Sequence, residues 1–527
     1  MSRSLQKPVV LALAGVIVAA VASRTVSLAQ SPRTAADLVL KNAHIYTVDA
    51  GRTQAEGVAV SNGRIVYVGG AAGLTPFIGA RTQVLDLNGR LVVPGFIDGH
   101  NHAYLRAEAL FWATLSGSNV DDYKAQMRSF LDQHPNVTQV RGVGFNVNAV
   151  ITAAMATGRA PKVLLDEIVG RDIPAVIITN GHHQIWANSK AIQSARITKE
   201  TPNPLGAVID RDPATGEPTG IFREFGAQNL VIGALPKPDF TVEEFEQAIQ
   251  SFQQEMAGPR GVTSVLTPVH YPTENFLKAL QALDKQGKLT VRYDLALWAN
   301  ETRGTSQVAD LVETRRKYQG KLFKIDSIKI FGTGEAGLVW KQPVLEETVA
   351  ALDKERFRVY VHCTGNQAAN EAILDAFAYT LKTNGKRDSR HTITHVNAGA
   401  AAVASRFKEL GVRADGQGPA PKALFDAGVA TTTSSDYPVT DFFPPVRLAR
   451  GVRNGVPLEA MIASYTIAGA ELIFAERETG SIEVGKAADI VVLDRNLFET
   501  PVDDLDKARI ILTLSGGREV FRDASFK

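Results

Sequence analysis

One run, Leu91-Val92-Val93-Pro94-Gly95-Phe96-Ile97-Asp98-Gly99-His100-Asn101-His102, constrains this chain more than any other. A continuous apolar stretch enters a Pro-Gly turn, resumes as Phe96-Ile97 and ends in His-x-His. In extended backbone, alternate side chains share one side, so His100 and His102 point the same way. Two imidazoles so placed can bind one zinc-like ion through bonds of about 2.0–2.1 Å. A buried strand that delivers such a pair fits a hydrolase site at the C-terminal end of a parallel strand.

The 527 residues, 45% hydrophobic, suffice for one large core and a smaller domain. A net charge of +2, without a basic stripe interleaved with aromatics, excludes a nucleic-acid partner. Residues 1–29 read as a secretory signal peptide. Arg3 and Lys7 precede the apolar run from Val9 to Ala22, and Ser27-Leu28-Ala29 resembles a small-x-small cleavage site. That run is too short for a membrane anchor. Cleavage removes Arg3, Lys7 and Arg24 and no acids, taking the charge from +2 to −1. The expected location is periplasmic or secreted, with no membrane association after cleavage. The single cysteine, Cys363, forms no internal disulfide, and it reads as a buried structural thiol behind His362.

Residues 36–90 are rich in short strands, with Asn62-Gly63 as a hairpin turn. Residues 478–527 have the same texture, so both ends are expected to build one composite β-sandwich. The stretch 91–477 alternates strands and helical patterns, the habit of a parallel α/β architecture. The fold class expected is α/β, a distorted (β/α)8 TIM barrel beside the small sandwich, with an insertion within about 105–235. Candidate strands are 91–98, 140–145, 175–179, 262–267, 291–297, 326–331, 358–363, 391–395 and 429–434. They exceed a closed eightfold barrel by one, so either 140–145 or 175–179 is assigned to the insertion.

Several strands end in a group that binds metal or moves protons: His100 and His102, His362, His395 and Asp436. In a (β/α)8 barrel all such ends converge on one face. Lys329 lies between Ile328 and Ile330 in a buried strand, where a bare ammonium is costly. Carboxylated by carbon dioxide, it would be an anion able to bridge two metals. Glu224 is the competing carboxylate bridge.

These motifs resemble the amidohydrolase superfamily, in the branch of metal-dependent hydrolases that includes N-substituted formamide deformylase. The resemblance rests on the 94–102 run, Gly181 to Ser189, Pro218 to Glu224, Lys329, His362 to Ala368, Arg390 to His395, Ser434 to Pro438 and Gly480 to Asp489. It implies that His100, His102 and Asp436 hold the more buried metal. It also implies that His362 and His395 hold a second, that Lys329 bridges as a carbamate, and that His183 and Trp186 line the substrate pocket. The chain departs from the branch pattern at Thr394, Asn366 and the Gly332-to-Glu335 segment, where acids or Asp-Gly are usual.

The activity expected is metal-assisted hydrolysis of a non-peptide amide-type C–N bond in a small N-acyl or N-formyl amine. The cofactor expected is a divalent metal, zinc by ligand type, as one or two ions. Asp436 is the expected general base and acid, with the second metal and His391 or His183 stabilising the oxyanion. Phe111, Trp112, Trp186 and Trp340 are candidate apolar walls. A metallopeptidase of the same fold and an inactive binding protein are the rival readings, and a homo-oligomer is left open.

Overall fold

A computed structural model describes residues 35–236, 240–269, 274–334, 337–418, 420–440 and 442–526. The expected signal peptide lies outside the described residues. Eight parallel strands run in sequence order around a barrel: β1 (Phe96–Asp98), β2 (Val262–Val269), β3 (Arg292–Trp298), β4 (Phe323–Phe331), β5 (Arg358–His362), β6 (Thr392–Thr394), β7 (Arg413–Gln417) and β8 (Thr431–Ser434). Between β8 and β1 the seam is made just beyond the strand ends. Asn101 bridges Tyr437, Asp436 N–H donates to the His100 carbonyl at 2.7 Å, and Ser435 N–H donates to Asp98 Oδ1 at 2.8 Å.

The stretch 91–98 is two strands, not one. Leu91–Pro94 joins the sandwich, parallel to His44–Tyr46 and antiparallel to Ile490–Leu493, and only Phe96–Asp98 enters the barrel. Pro94 has no N–H to extend a ladder. A Cβ on Gly95 would stand 2.3 Å from Thr263 Oγ1, so the chain passes between the two domains only where a side chain is missing.

The sandwich is composite. One sheet holds Arg64–Gly69, Gly57–Ser61, Leu38–Lys41 and Gln83–Asp86. The other mixes the N-terminal strands His44–Tyr46, Gln54–Ala55 and Leu91–Pro94 with Ile490–Leu493, Ile510–Ser515 and Arg518–Arg522. Leu40, Val58 and Val60 from the first sheet bury against Ile45, Val92, Ile490 and Leu512 from the second.

Both 140–145 and 175–179 belong to the insertion, correcting the expectation that only one does. Val140–Val143 and Ala175–Ile178 pair in a separate sheet with Ala113–Thr114, Gln184–Ala187, Val208–Arg211 and Pro218–Arg223. The barrel strand left unrecognised in the sequence is β7. Its residues, Arg-Ala-Asp-Gly-Gln, give neither an apolar run nor an alternation. Inside the barrel, Leu472 and Ile473 pack with Ile97, Leu266, Ala296 and Tyr360. This apolar layer underlies the polar C-terminal mouth. Cys363 is buried, facing the outer packing layer as expected. Among the described residues, no helix is long and apolar enough to cross a membrane.

Candidate metal centre

Asp98 fixes the exit of β1. Its Oδ2 accepts from Ser435 Oγ at 2.6 Å and Asn101 Nδ2 at 2.9 Å, tying the segment that carries His100 to the segment that carries Asp436. Beyond β1, His100 and His102 turn to the same point. Their Nε2 atoms are 3.2 Å apart, and Asp436 Oδ1 is 3.3 Å from the first and 3.1 Å from the second. Tetrahedral ligands on bonds of about 2.05 Å stand about 3.3 Å apart, so the three atoms have the spacing of one zinc-like ion's ligands. All three residues are buried.

Donor chemistry supports the same conclusion. His102 Nδ1 lies 2.9 Å from the Pro268 carbonyl, which only accepts, so Nδ1 carries the proton and Nε2 a lone pair. His100 Nδ1 lies 3.1 Å from Tyr360 Oη and 3.0 Å from Thr394 Oγ1. Both hydroxyls direct their protons elsewhere: Thr394 to Asp415 Oδ2, and Tyr360 to Asp415 Oδ2 or the Gly99 carbonyl. They therefore accept from His100 Nδ1–H, and His100 Nε2 is also a lone pair. Two lone pairs and a carboxylate oxygen meet with no proton between them, an arrangement that a cation relieves. Protonation does not relieve it, because burial holds His100 well below the usual imidazole range and lowers His102 as well.

His395 and His362 extend the cluster. Ring centroids are 4.7 Å apart for His100 and His395, and 4.5 Å for His362 and His395. His395 Nδ1 lies 3.3 Å from Gln417 Oε1 and 3.7 Å from Asp436 Oδ2, and burial takes the ring down to about 3. Burial pushes the Asp436 carboxyl up, but His395, His102 and Lys329 outweigh it and hold it below the usual range. Lys329 projects into the same cavity from β4, 1% exposed, and burial brings its amine down to about 7 against the pull of Asp436 and Asp415. A neutral amine is the form that carbon dioxide adds to. His100, His102, His362, His395, Lys329 and Asp436 together line a cavity of about 20 Å³, room for one water-sized occupant.

A second, polar cavity of about 340 Å³ adjoins through Gly181 and His183, and is lined also by Thr179, Gln184, Glu224, Gly334 and Thr364. His183 Nδ1 is 2.9 Å from Glu224 Oε2, and its ring is 5.4 Å from that of His362. Burial works against a charge on His183, but Glu224 overcomes it and raises the ring's pKa. Glu224, His395 and Asp436 all have positive φ, at 63°, 64° and 55°. Non-glycine residues held there cost about 1–3 kcal/mol each, and such strain collects where side chains must be aimed.

The sequence model for the amidohydrolase family matches residues 83–521. The chain belongs to the amidohydrolase family. It is 31% identical to the exoenzymes regulatory protein AepA of Pectobacterium carotovorum, over 66% of this chain and 78% of that one. It is 24% identical to N-substituted formamide deformylase of Arthrobacter pascens, over 91% of this chain and 97% of that one. A solved metal-dependent hydrolase from Pyrococcus horikoshii has the same fold, with a TM-score of 0.66 at 19% identity, over 88% of this chain and 99% of that one.

Within this amidohydrolase fold, not every expected site residue reaches the mouth. His391 does not. It precedes β6, at the opposite end of the strand from His395, where Val359 N–H donates to its Nδ1 and its Nε2 meets Asp353 Oδ1, both at 3.0 Å. A three-residue strand separates the two histidines, which places them at opposite ends of the barrel. Trp186 is fully buried among Leu164, Ile177 and Ile221, with its indole N–H on the Pro161 carbonyl, and it lines neither cavity. Trp340 donates to the Phe331 carbonyl, and Trp112 packs on Phe240. The apolar walls found at the metal cavity are Phe331 and Val439. Glu224 faces the second cavity, so Lys329 is the bridge candidate among the ligands. Asp98, Asp415 and Gln417 were missed in the sequence. Only the first had a signal, its place inside the His-x-His run.

Proposed function

We propose that this amidohydrolase uses a divalent metal, zinc by ligand type, to hydrolyse a non-peptide amide-type C–N bond in a small N-acyl or N-formyl amine. The observation that carries the reading is the meeting of His100 Nε2, His102 Nε2 and Asp436 Oδ1 within 3.3 Å of one another. A metal held there supplies Lewis acidity, making water a nucleophile near neutral pH and polarising a carbonyl. His100, His102 and Asp436 would hold it, and His362, His395 and a carboxylated Lys329 would hold a second ion.

The chain's own groups do the rest. Asp436, whose carboxyl is held below the usual carboxylate range, takes the proton of the attacking water on a carboxylate oxygen. It returns that proton to the nitrogen, which leaves as a neutral amine. His183, whose pKa Glu224 raises, offers in its protonated form a hydrogen bond to the oxygen on which negative charge develops. Phe331 and Val439 exclude bulk water on the apolar side. Among the described lining residues of the second cavity there is no Arg or Lys to clamp a terminal carboxylate, which favours a simple amide over a peptide. The deformylase relative supports the same bond type. The reading includes export, on the strength of the signal-like residues 1–29.

The test is metal content of the purified mature protein, followed by turnover of N-formyl amines, N-acyl amines and dipeptides. Turnover of the first two groups, lost on chelation and restored by a divalent ion, is expected. Turnover of dipeptides alone would refute the bond type, and a protein without bound metal or any turnover would refute the catalytic reading.

A further inference from the structure

β7, the strand with the least apolar character, carries a carboxylate at the centre of a hydroxyl cluster. Asp415 is fully buried. Its Oδ1 accepts from Thr432 at 2.7 Å, and its Oδ2 accepts from Tyr360, Thr394 and Ser434, each at 2.8 Å. Strand register sets this up: Thr394 on β6 and Thr432 on β8 stand directly across from Asp415. Gly99 completes the pocket, since a Cβ there would stand 2.6 Å from Asp415 Oδ1. Four hydroxyls around one carboxylate is a costly arrangement unless each is used. Two of them, Tyr360 and Thr394, are the partners of His100 Nδ1.

We propose that Asp415 is a positioning residue that sets the tautomer of His100 through the Tyr360 and Thr394 hydroxyls. This rests on the metal-centre reading above. A hydroxyl has one proton. Asp415 takes the proton of Thr394, and Asp415 or the Gly99 carbonyl takes that of Tyr360, leaving both oxygens as acceptors toward His100. The His100 ring must then hold its proton on Nδ1 and present a bare Nε2 toward His102 and Asp436. Ligating histidines generally donate the distal N–H to an acceptor, and losing that acceptor costs about 10–100-fold in metal affinity. Here the carboxylate acts one hydroxyl away. Leu at 415, close to Asp in shape, would remove both acceptor oxygens, leaving the Thr394 hydroxyl to turn its proton onto His100 Nδ1 and drive the His100 proton to Nε2, where it blocks ligation.

The test uses the full mature chain. Zn²⁺ affinity is measured by chelator competition. The His100 tautomer is read by ¹⁵N NMR of the metal-free protein, with the signal assigned by its loss in a His100 variant. Asp415→Leu is expected to lose at least tenfold in Zn²⁺ affinity and to move the ring proton to Nε2. Thr394→Val is expected to weaken binding less, and Thr394→Ser to restore it. Wild-type affinity in Asp415→Leu, with the proton still on Nδ1, would overturn the proposal. If Asp415→Leu does not fold, the Thr394 pair decides, and equal affinities for Val and Ser would overturn it. If the wild-type chain binds no Zn²⁺, the metal-centre reading fails, while the NMR signal of the metal-free protein still decides the tautomer.

Discussion

Replacing His391 with alanine separates a structural from a catalytic histidine. The ring is buried between β5 and the acid Asp353 and stacks on Phe377 at a centroid distance of 5.0 Å and 9°. Truncation leaves the Val359 N–H without its acceptor, at about 1–3 kcal/mol. It removes a hydrogen bond to a carboxylate, about 1.5–3 kcal/mol. It also removes a stacked aromatic pair, about 0.5–1.5 kcal/mol. The open cleft beside His391 admits water to the freed groups, so the loss should fall toward the lower end of the sum, about 3–5 kcal/mol. For the compact unit 35–527, unfolding entropy of about 2.1 cal/mol/K per residue gives about 1 kcal/mol/K for a single-step melt. The melting temperature should therefore drop by about 3–5 °C. Turnover per folded molecule and Zn²⁺ affinity should stay at the wild-type level. Loss of turnover by two orders of magnitude at unchanged melting temperature would refute this placement and return His391 to the chemistry.

The same pair has a pH signature. Burial lowers the His391 pKa below 6.5, against the pull of Asp353, while Arg387 and Arg358 add to the lowering. Below about 6.5 the unfolded chain takes up a proton that the folded ring resists, so stability falls as pH drops. Asp353 is also held below its usual value: burial pushes it up, but His391, Asn384 and Arg387 outweigh that. Its contribution too is lost as pH falls, through its folded pKa. The difference in melting temperature between wild type and His391→Ala should narrow from pH 7 to pH 4.5. A difference that widens would contradict the assigned protonation states.

Three further outcomes are expected. Asp436→Asn should still bind Zn²⁺ at saturating concentration, yet lose about 10²–10⁴ in turnover, measured on the best substrate of the panel. Lys329→Met should fold, since a buried amine is replaced by an apolar chain of similar length, and the bicarbonate dependence of Zn²⁺ uptake expected of the wild type should be absent from it. Asp98→Ala should lower stability by about 2–4 kcal/mol, seen in thermal melts, because Ser435 N–H, Ser435 Oγ and Asn101 Nδ2 lose their buried acceptor together.

The parts of this fold that were legible in the sequence are those that pack against something apolar on both sides. Val262–Val269, Phe323–Phe331 and Arg358–His362 read as strands because helices cover their outer faces and Leu266, Ile328 or Val359 must be buried. The His-x-His run read correctly because the spacing of two residues survives the end of the strand: β1 stops at Asp98, and Asn101 continues in extended contact with Tyr437. His391 misled because it shares a six-residue motif with His395, and a motif does not say which end of a short strand each residue occupies.

β7 shows why the remainder stayed hidden. Hydrophobic periodicity detects strands whose inner face meets oil, and the inner face of β7 meets hydroxyls and the His395 imidazole. A site that must hold imidazoles as bare bases needs acceptors behind them, and those acceptors need donors of their own. The barrel wall nearest the centre is therefore built from Asp415, Gln417, Thr394, Thr432 and Ser434, all carrying hydrogen-bonding side chains on adjoining strands. The chemistry that makes the site work thus erases the apolar signal by which the strand would be found. In a barrel of this kind, the polar gap in an otherwise regular series of strands is where the groups that position the ligands should be sought. For this chain the gap between β6 and β8 contains both Asp415, which acts on His100, and Gln417, which acts on His395.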